Sequence, residues 1–394
     1  MEPSVAVSSL NEGARPKTSG LSEGALSPEV NSVRIHSIDA LRGFDMFWLM
    51  QESTGFVLTL ITVLHLPFHN LWVTQLDHSE WVGFTFWDLI APLFLFIVGL
   101  SMPFAISRRI AQGASKWKLF GHILKRTIVL ILLGLIFNGI LSLNFHDFRY
   151  TGVLQRIALS YFFAALITLK WDLKGQAIWT AALLLGYWLL MAFIPVPGIG
   201  HGVYTPEGNL AGYIDRLFLP GTFCCYGFGD NEGYLSTIPS IATVMFGVLC
   251  GHLLRSSRSD RIKLQLLVGG GVLSLGLGLL WGMAFPIITR LWTSSYTLYA
   301  NGWCMLLFAL FYWIIDVLGY RRWAFPFIII GLNAITIYVV QARFDFIHIA
   351  NIFVHGIVTH AGAYYGALLL GASVLLVKWL FLYFLYRQRI FLKA

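Results

Sequence analysis

Charge is what this chain has least of. Only 12% of its residues are Asp, Glu, Lys or Arg, against 57% hydrophobic ones, and the acids (19) are scarcer than the bases (27). A soluble domain carries roughly twice that charge, so a water-soluble globular fold is excluded and a polytopic membrane protein is indicated. Cysteine is scarce too, four in all, which excludes a disulfide framework. Cys250 and Cys304 fall in apolar runs; Cys224 and Cys225 are neighbours, where a bridge is strained and therefore not expected. The eleven histidines lack the spacing of a zinc signature, although His65 and His69 are paired and His348, His355 and His360 share one segment, and no metal is expected. No internal repeat is visible, unlike the duplicated halves of secondary transporters. Residues 1–33 lack the apolar core of a signal peptide and, rich in Ser, Glu, Gly and Pro, read as a disordered cytoplasmic leader.

What the chain has instead is apolar runs. Stretches near or above the roughly 20 residues that cross a bilayer as helix recur about ten times, at 44–64, 83–106, 126–143, 152–169, 177–195, 237–254, 264–285, 296–316, 324–341 and 364–386. They are too long and continuous for barrel strands, so the expected fold is all-α, a polytopic transmembrane helix bundle, with residues 34–394 forming one transmembrane domain. Between the spans, Lys and Arg alternate in abundance. One set of connections carries Arg108, Arg109, Lys116, Lys118, Lys125, Arg126, Lys170, Lys174, Arg255, Arg258, Arg261, Lys263, Arg321 and Arg322, joined by Arg387, Arg389 and Lys393 at the end. The other set holds Arg149, Arg216, Arg290 and Arg343. The positive-inside rule then places both termini in the cytoplasm. The net charge of +8 is a topology signal, and no nucleic-acid partner is expected from it.

Ionisable residues inside spans are costly and each is a candidate functional site. In "LDHSEWVGFTFWDLIAPLFLFIVG", a helix beginning near His78 would stack His78, Trp81, Thr85 and Asp88 within an arc of about 80°, over about 15 Å, as one polar stripe leading inward. Pro92 lies one turn below Asp88 and removes a backbone hydrogen bond. The first span opens with Asp39, Arg42 and Asp45 at i, i+3, i+6, a guanidinium flanked by acids and suited to a phosphate-bearing ligand. Glu52 follows one heptad after Asp45 on nearly the same face. Gln155 and Arg156 open span four, Asn231 and Glu232 precede span six, Trp292 precedes span eight and Asn333 lies in span nine. Polar groups from several helices near one face are what a binding cavity requires.

The blocks "SIDALRGFDMFW", the His78–Trp81–Gly83–Thr85–Asp88–Pro92 pattern, "GVLQRIALSY", "NEGYLSTIPSI", "RLWTSSYTLY" and "GLNAITIYV" resemble, in the same order, those of the heparan-alpha-glucosaminide N-acetyltransferase family, over roughly residues 34 to 385. The resemblance implies transfer of acetyl from cytoplasmic acetyl-CoA to the amine of a terminal glucosamine across the membrane, with His78 as the active-site histidine. It also implies an oligosaccharide end or amino sugar as acceptor and a possible homodimer. An asparagine assists that histidine in the animal enzyme, where this sequence reads Gln51, Glu52, Ser53. The animal protein also carries a lumenal domain ahead of its membrane part that this sequence does not show, from which a multi-pass location in a bacterial inner membrane is expected.

Acetyl transfer to an amine requires a base for its proton and donors around the developing oxyanion. His78 is the expected base, with Asp88 orienting it. Glu52, Trp81, Gln155, Arg156, Glu232, Trp292 and Asn333 are the candidate acceptor-binding residues, and Asp39, Arg42 and Asp45 the candidates near the CoA phosphates. An acetylated histidine is an alternative route. A transporter of amino sugars, using the same polar stripe as a path, is the alternative function.

Overall fold

The structure, a computed structural model, describes residues 35–144 and 147–392; the leader expected at 1–33 lies outside them. The described residues are mostly helical. In chain order the helices are α1 His36–Leu49, α2 Gln51–Val63, α3 His69–Gln75, α4 Trp87–Ala111, α5 Lys116–Asn138, α6 Val153–Lys170, α7 Leu173–Phe193, α8 Leu210–Phe218, α9 Thr237–Arg255, α10 Asp260–Gly282, α11 Ser294–Tyr312, α12 Phe325–Leu332, α13 Ala334–Val340, α14 Phe346–His360 and α15 Ala363–Arg387. The one sheet among the described residues is a hairpin of β1 Cys225–Tyr226 and β2 Gly229–Asp230.

Among the described residues, eight helices are long and apolar enough to cross a membrane: α4, α5, α6, α7, α9, α10, α11 with its continuation to Val317, and α15. They coincide with eight of the ten expected ranges, and the fold is an all-α polytopic bundle. The remaining two ranges are broken rather than continuous. In the first, α1 and α2 meet at 81°; in the ninth, Asn333 separates α12 from α13. Broken helices survive in lipid only if the freed carbonyls find partners. At the first break Ser53 Oγ donates to Phe47 O, and Gln341 Nε2 donates to Leu49 O at 3.0 Å.

Helices approach most closely where side chains are absent. A Cβ at Gly99 would overlap Val244 O and one at Gly247 would overlap Phe96 O, which brings α4 and α9 nearly into backbone contact. Gly43 and Gly331 do the same for α1 and α12. Between helices already surrounded by apolar chains, such packing supplies the attraction that hydrophobic burial cannot. Helix α4 is buried around most of its circumference, as expected of a helix hydrophobic on all sides. The start of α1 is closed by a distant residue: Asp316 accepts the N–H groups of His36 at 3.1 Å and Ser37 at 3.0 Å.

The bundle has two chemically distinct ends. One, here called the basic face, carries the ends or connections with Arg108, Arg109, Lys170, Arg255, Arg321 and Arg387. The other, the far face, carries the segments 64–86, 139–144, 147–152, 194–236 and 283–293.

Candidate active site

The residues from Leu76 to Phe86 are not helical, so the stripe expected on a helix beginning near His78 does not exist in that form; α4 begins at Trp87. The contact it was expected to give is made by a different route. Asp88, in the first turn of α4 and 2% exposed, draws the preceding loop over the helix end. One carboxylate oxygen meets His78 Nδ1 at 2.7 Å. The other accepts the N–H groups of Thr85 at 3.1 Å and Ser79 at 3.3 Å, and lies 3.2 Å from Thr85 Oγ1. A carboxylate at a helix N-terminus is also favoured by the helix dipole. Gly83, with φ at 135°, donates to Ile287 O at 2.9 Å and pins the loop from the other side.

Pro92 has no N–H for the carbonyl of Asp88, four residues earlier. Tyr296, fully buried on α11, donates its hydroxyl to that oxygen at 2.7 Å. The proline therefore leaves an acceptor that another helix uses to fix the height of Asp88. The imidazole remains 47% exposed while the carboxylate beneath it is sealed.

A second far-face cluster surrounds Arg149. Its guanidinium holds Asp230 through two bonds, of 2.8 and 2.6 Å, and also binds Glu232. Burial acts to raise the Asp230 pKa, but Arg149 more than offsets it, aided by the N–H groups of Glu232 and Cys224, and holds the acid below its usual range. Asp215 on α8 lies nearby without a guanidinium of its own; burial pushes it up to about 6, although the N–H groups of Asp230 and Tyr234 bind it. Arg156 binds Asn231 O and Ser236 Oγ and lies 4.6 Å over the Trp292 ring, which is edge-on to Tyr296 at 5.4 Å. Through Trp292 and Tyr296 the Arg156 cluster reaches Asp88. Both amide atoms of Gln155, Arg156 Nε and Asn231 Oδ1 are buried without a partner, and such orphans are the groups a polar ligand would satisfy.

Trp81 donates Nε1 to Tyr204 O at 2.8 Å and packs edge-on to Tyr226 at 5.2 Å, tying the 194–236 segment over the His78 loop. In that segment Cys224 and Cys225 are joined by a vicinal disulfide, contrary to expectation; Cys225 takes the left-handed backbone, φ 83°.

At the basic face a cavity of about 480 Å³ opens between α1, α4, α5, α6 and the α12–α13 break. Its lining includes Arg42, Arg109, His122, Lys125 and Arg126, followed by apolar walls of Phe94, Val98, Met102, Leu130 and Ile157. Arg126 lies 4.5 Å over the Tyr161 ring, and its Nε has no partner. Phe94, Ile157 and Ile335 also line a gap of about 10 Å³ with Leu49, Val153, Leu154 and Tyr338.

The structure thus brings together His78 with Asp88, and Arg156 with Trp292, while Glu232 sits beside them on Arg149. It separates others from that group. Glu52 pairs with Lys378, a fully buried lysine on α15 that Gln341 also contacts at 3.2 Å. Asn333 lies between Leu332 and Ala334, which line the basic-face cavity. Arg42 lines that cavity with Asp39 at 3.4 Å, whereas Asp45 is buried with neither oxygen bonded. Arg149, Asp230, Tyr296 and Lys378 have central places that sequence reasoning missed. Only Tyr296 had a signal, the carbonyl orphaned by Pro92. Among the described residues no group of three or more His, Cys, Asp or Glu could hold a metal ion.

With known proteins, the chain matches the model of "Heparan-alpha-glucosaminide N-acetyltransferase, catalytic" over residues 34–275. It is similar to human heparan-alpha-glucosaminide N-acetyltransferase, 28% identical over 391 residues, covering 85% of this chain and 56% of the human protein. To the mouse protein of the same name it is 29% identical over 361 residues, covering 78% and 54%. The chain spans about half the length of the curated relatives it matches.

Proposed function

The chain belongs to the heparan-alpha-glucosaminide N-acetyltransferase catalytic family, and from that premise we propose that it is an acyl-CoA-dependent sugar N-acetyltransferase. It moves acetyl from cytoplasmic acetyl-CoA to the amine of a glucosamine-type sugar on the periplasmic side of a bacterial inner membrane. The observation that carries this reading is the sealed Asp88 under a half-exposed His78, at the opposite end of the bundle from a cation-lined cavity.

The cavity fits an acyl-CoA by its chemistry. Arg42, Arg109, Lys125 and Arg126 offer charge-assisted bonds to phosphates, and the Phe94–Val98–Met102–Leu130–Ile157 walls suit an uncharged pantetheine arm directed at the narrow gap. Passage of the thioester end requires widening of that gap.

With Asp88 bound at Nδ1, the imidazole carries its hydrogen there and leaves Nε2 as a lone-pair acceptor. The neutral acceptor amine attacks the thioester carbonyl carbon; His78 Nε2 takes the amine proton as the C–N bond forms. The carbon–sulfur bond then breaks, and the imidazolium passes that proton from Nε2 to the leaving sulfur, which departs as CoA thiol and restores neutral His78. Asp88 stabilises the imidazolium formed in between. Arg156, Gln155 and Asn231 form the acceptor subsite, their unpartnered polar atoms meeting sugar hydroxyls, and Trp292 gives Arg156 a fixed plane.

The test is a sided one. In proteoliposomes with labelled acetyl-CoA facing the basic side and glucosamine on the other, the expected product is N-acetylglucosamine on the glucosamine side. Glucosamine uptake without acetylation would replace the enzyme by a carrier. Label retained on the protein without acceptor would replace direct transfer by an acetyl-histidine route.

A further inference from the structure

The segment after α15 does not run away from the bundle. It turns at Arg389, in the left-handed region at φ 56°, with the N–H of Arg389 on Tyr386 O at 3.1 Å and that of Ile390 on Leu385 O at 2.9 Å. It then enters the break between α12 and α13. There Asn333, 2% exposed, holds it by both ends of its amide: Nδ2 donates to Ile390 O at 3.1 Å, and Oδ1 accepts from Leu392 N–H at 3.4 Å. An amide side chain offers a donor and an acceptor in one plane, so it can pair a passing backbone much as a neighbouring strand would.

The consequence is that Leu392 lines the large cavity together with Arg42, Ala334 and Ile335. Every other wall of that cavity belongs to a membrane helix or its end. This one is an extended segment tied to Asn333 by two hydrogen bonds, the second of them long, with Leu392 itself 48% exposed. Local opening costs least where few contacts hold an element, so this is the wall that yields first.

We propose that residues 388–392 are the closure of the donor cavity, with Asn333 the positioning residue that latches the segment and Leu392 the side chain that touches the bound donor. The proposal rests on the acyl-CoA reading above. It also gives Asn333 a role on the donor side, where the sequence alone suggests the sugar pocket. A latch that is closed both before and after binding slows entry and exit alike, whereas a static contact with the ligand slows exit alone.

The experiment measures association and dissociation of radiolabelled coenzyme A on the full chain in nanodiscs, for the unaltered protein, Asn333→Ala and Leu392→Trp. Asn333→Ala is expected to raise both rate constants about fivefold, with the dissociation constant nearly unchanged, as suits the loss of weak hydrogen bonds. Leu392→Trp, at a half-exposed position, is expected to weaken coenzyme A binding about tenfold by filling the cavity, and to leave the KM for glucosamine unchanged. Unchanged rates in both variants, or a faster dissociation alone in Asn333→Ala, would overturn the latch. If the unaltered protein binds no coenzyme A, the donor reading itself falls, which is a separate result.

Discussion

The two ends of the bundle solve opposite problems. At the far face the acids are fixed before any ligand arrives: Asp88 by His78, Ser79 and Thr85, and Asp230 by Arg149 and two N–H groups. At the basic face a wide cavity has cations at its mouth and apolar walls beyond. Groups that must hold a reacting centre to fractions of an ångström need preorganisation. Groups that collect a charged and flexible molecule need attraction and room. On the function proposed above, the difference between the faces is the difference between chemistry and capture.

The comparison breaks most sharply if chemistry and capture share residues. His78→Ala is expected to reduce kcat about 10³-fold, the scale of a lost general base, with coenzyme A affinity unchanged by equilibrium binding. A parallel loss of affinity would merge the two ends. Next in size is a stability effect: Arg149→Met leaves Asp230 and Glu232 without their cation and is expected to cost about 3 kcal/mol, as for other broken buried pairs, read as a lower unfolding midpoint. Arg126→Ala is expected to raise the KM for acetyl-CoA about tenfold with kcat nearly constant, since one charge-assisted bond to a phosphate is lost; a fall in kcat alone would place Arg126 in the chemistry. The smallest effect is a pH dependence. Because burial holds Asp215 up to about 6 in the folded chain, the folded state binds more protons than the unfolded one between the usual carboxylate range and 6, so stability should rise as pH falls from 7 toward 5. Asp230 is shifted the opposite way, so its stabilisation is lost only below the ordinary carboxylate range, outside that interval. Thermal unfolding across pH 5 to 7 should show the slope, and Asp215→Asn should flatten it.

The spans were legible because hydrophobic length is a direct physical requirement of the bilayer, and eight of the ten expected ranges are continuous helices. The two breaks were not legible, because Met50 and Asn333 are ordinary in local propensity. They are stabilised by Gln341 on Leu49 O in one case and by the Ile390–Leu392 backbone in the other. The His78–Asp88 pair is present although the helix expected to produce it is not. The spacing put both residues near one helix end, but the loop reaches Asp88 through Ser79 and Thr85, which periodicity cannot reveal. Glu52 shows the reverse: its place one heptad after Asp45 gave no hint of Lys378, which is 326 residues away.

The start of α1 has its N–H groups on Asp316 and its Gly43 against Phe327 of α12. These partners of α1 lie in the last third of the chain, although α1 also packs against α4. The N–H groups at its start must wait for Asp316 while some 280 residues are synthesised after His36. The start of α1 should thus be secured late in biogenesis, and damage to α12 should appear as misplacement of α1.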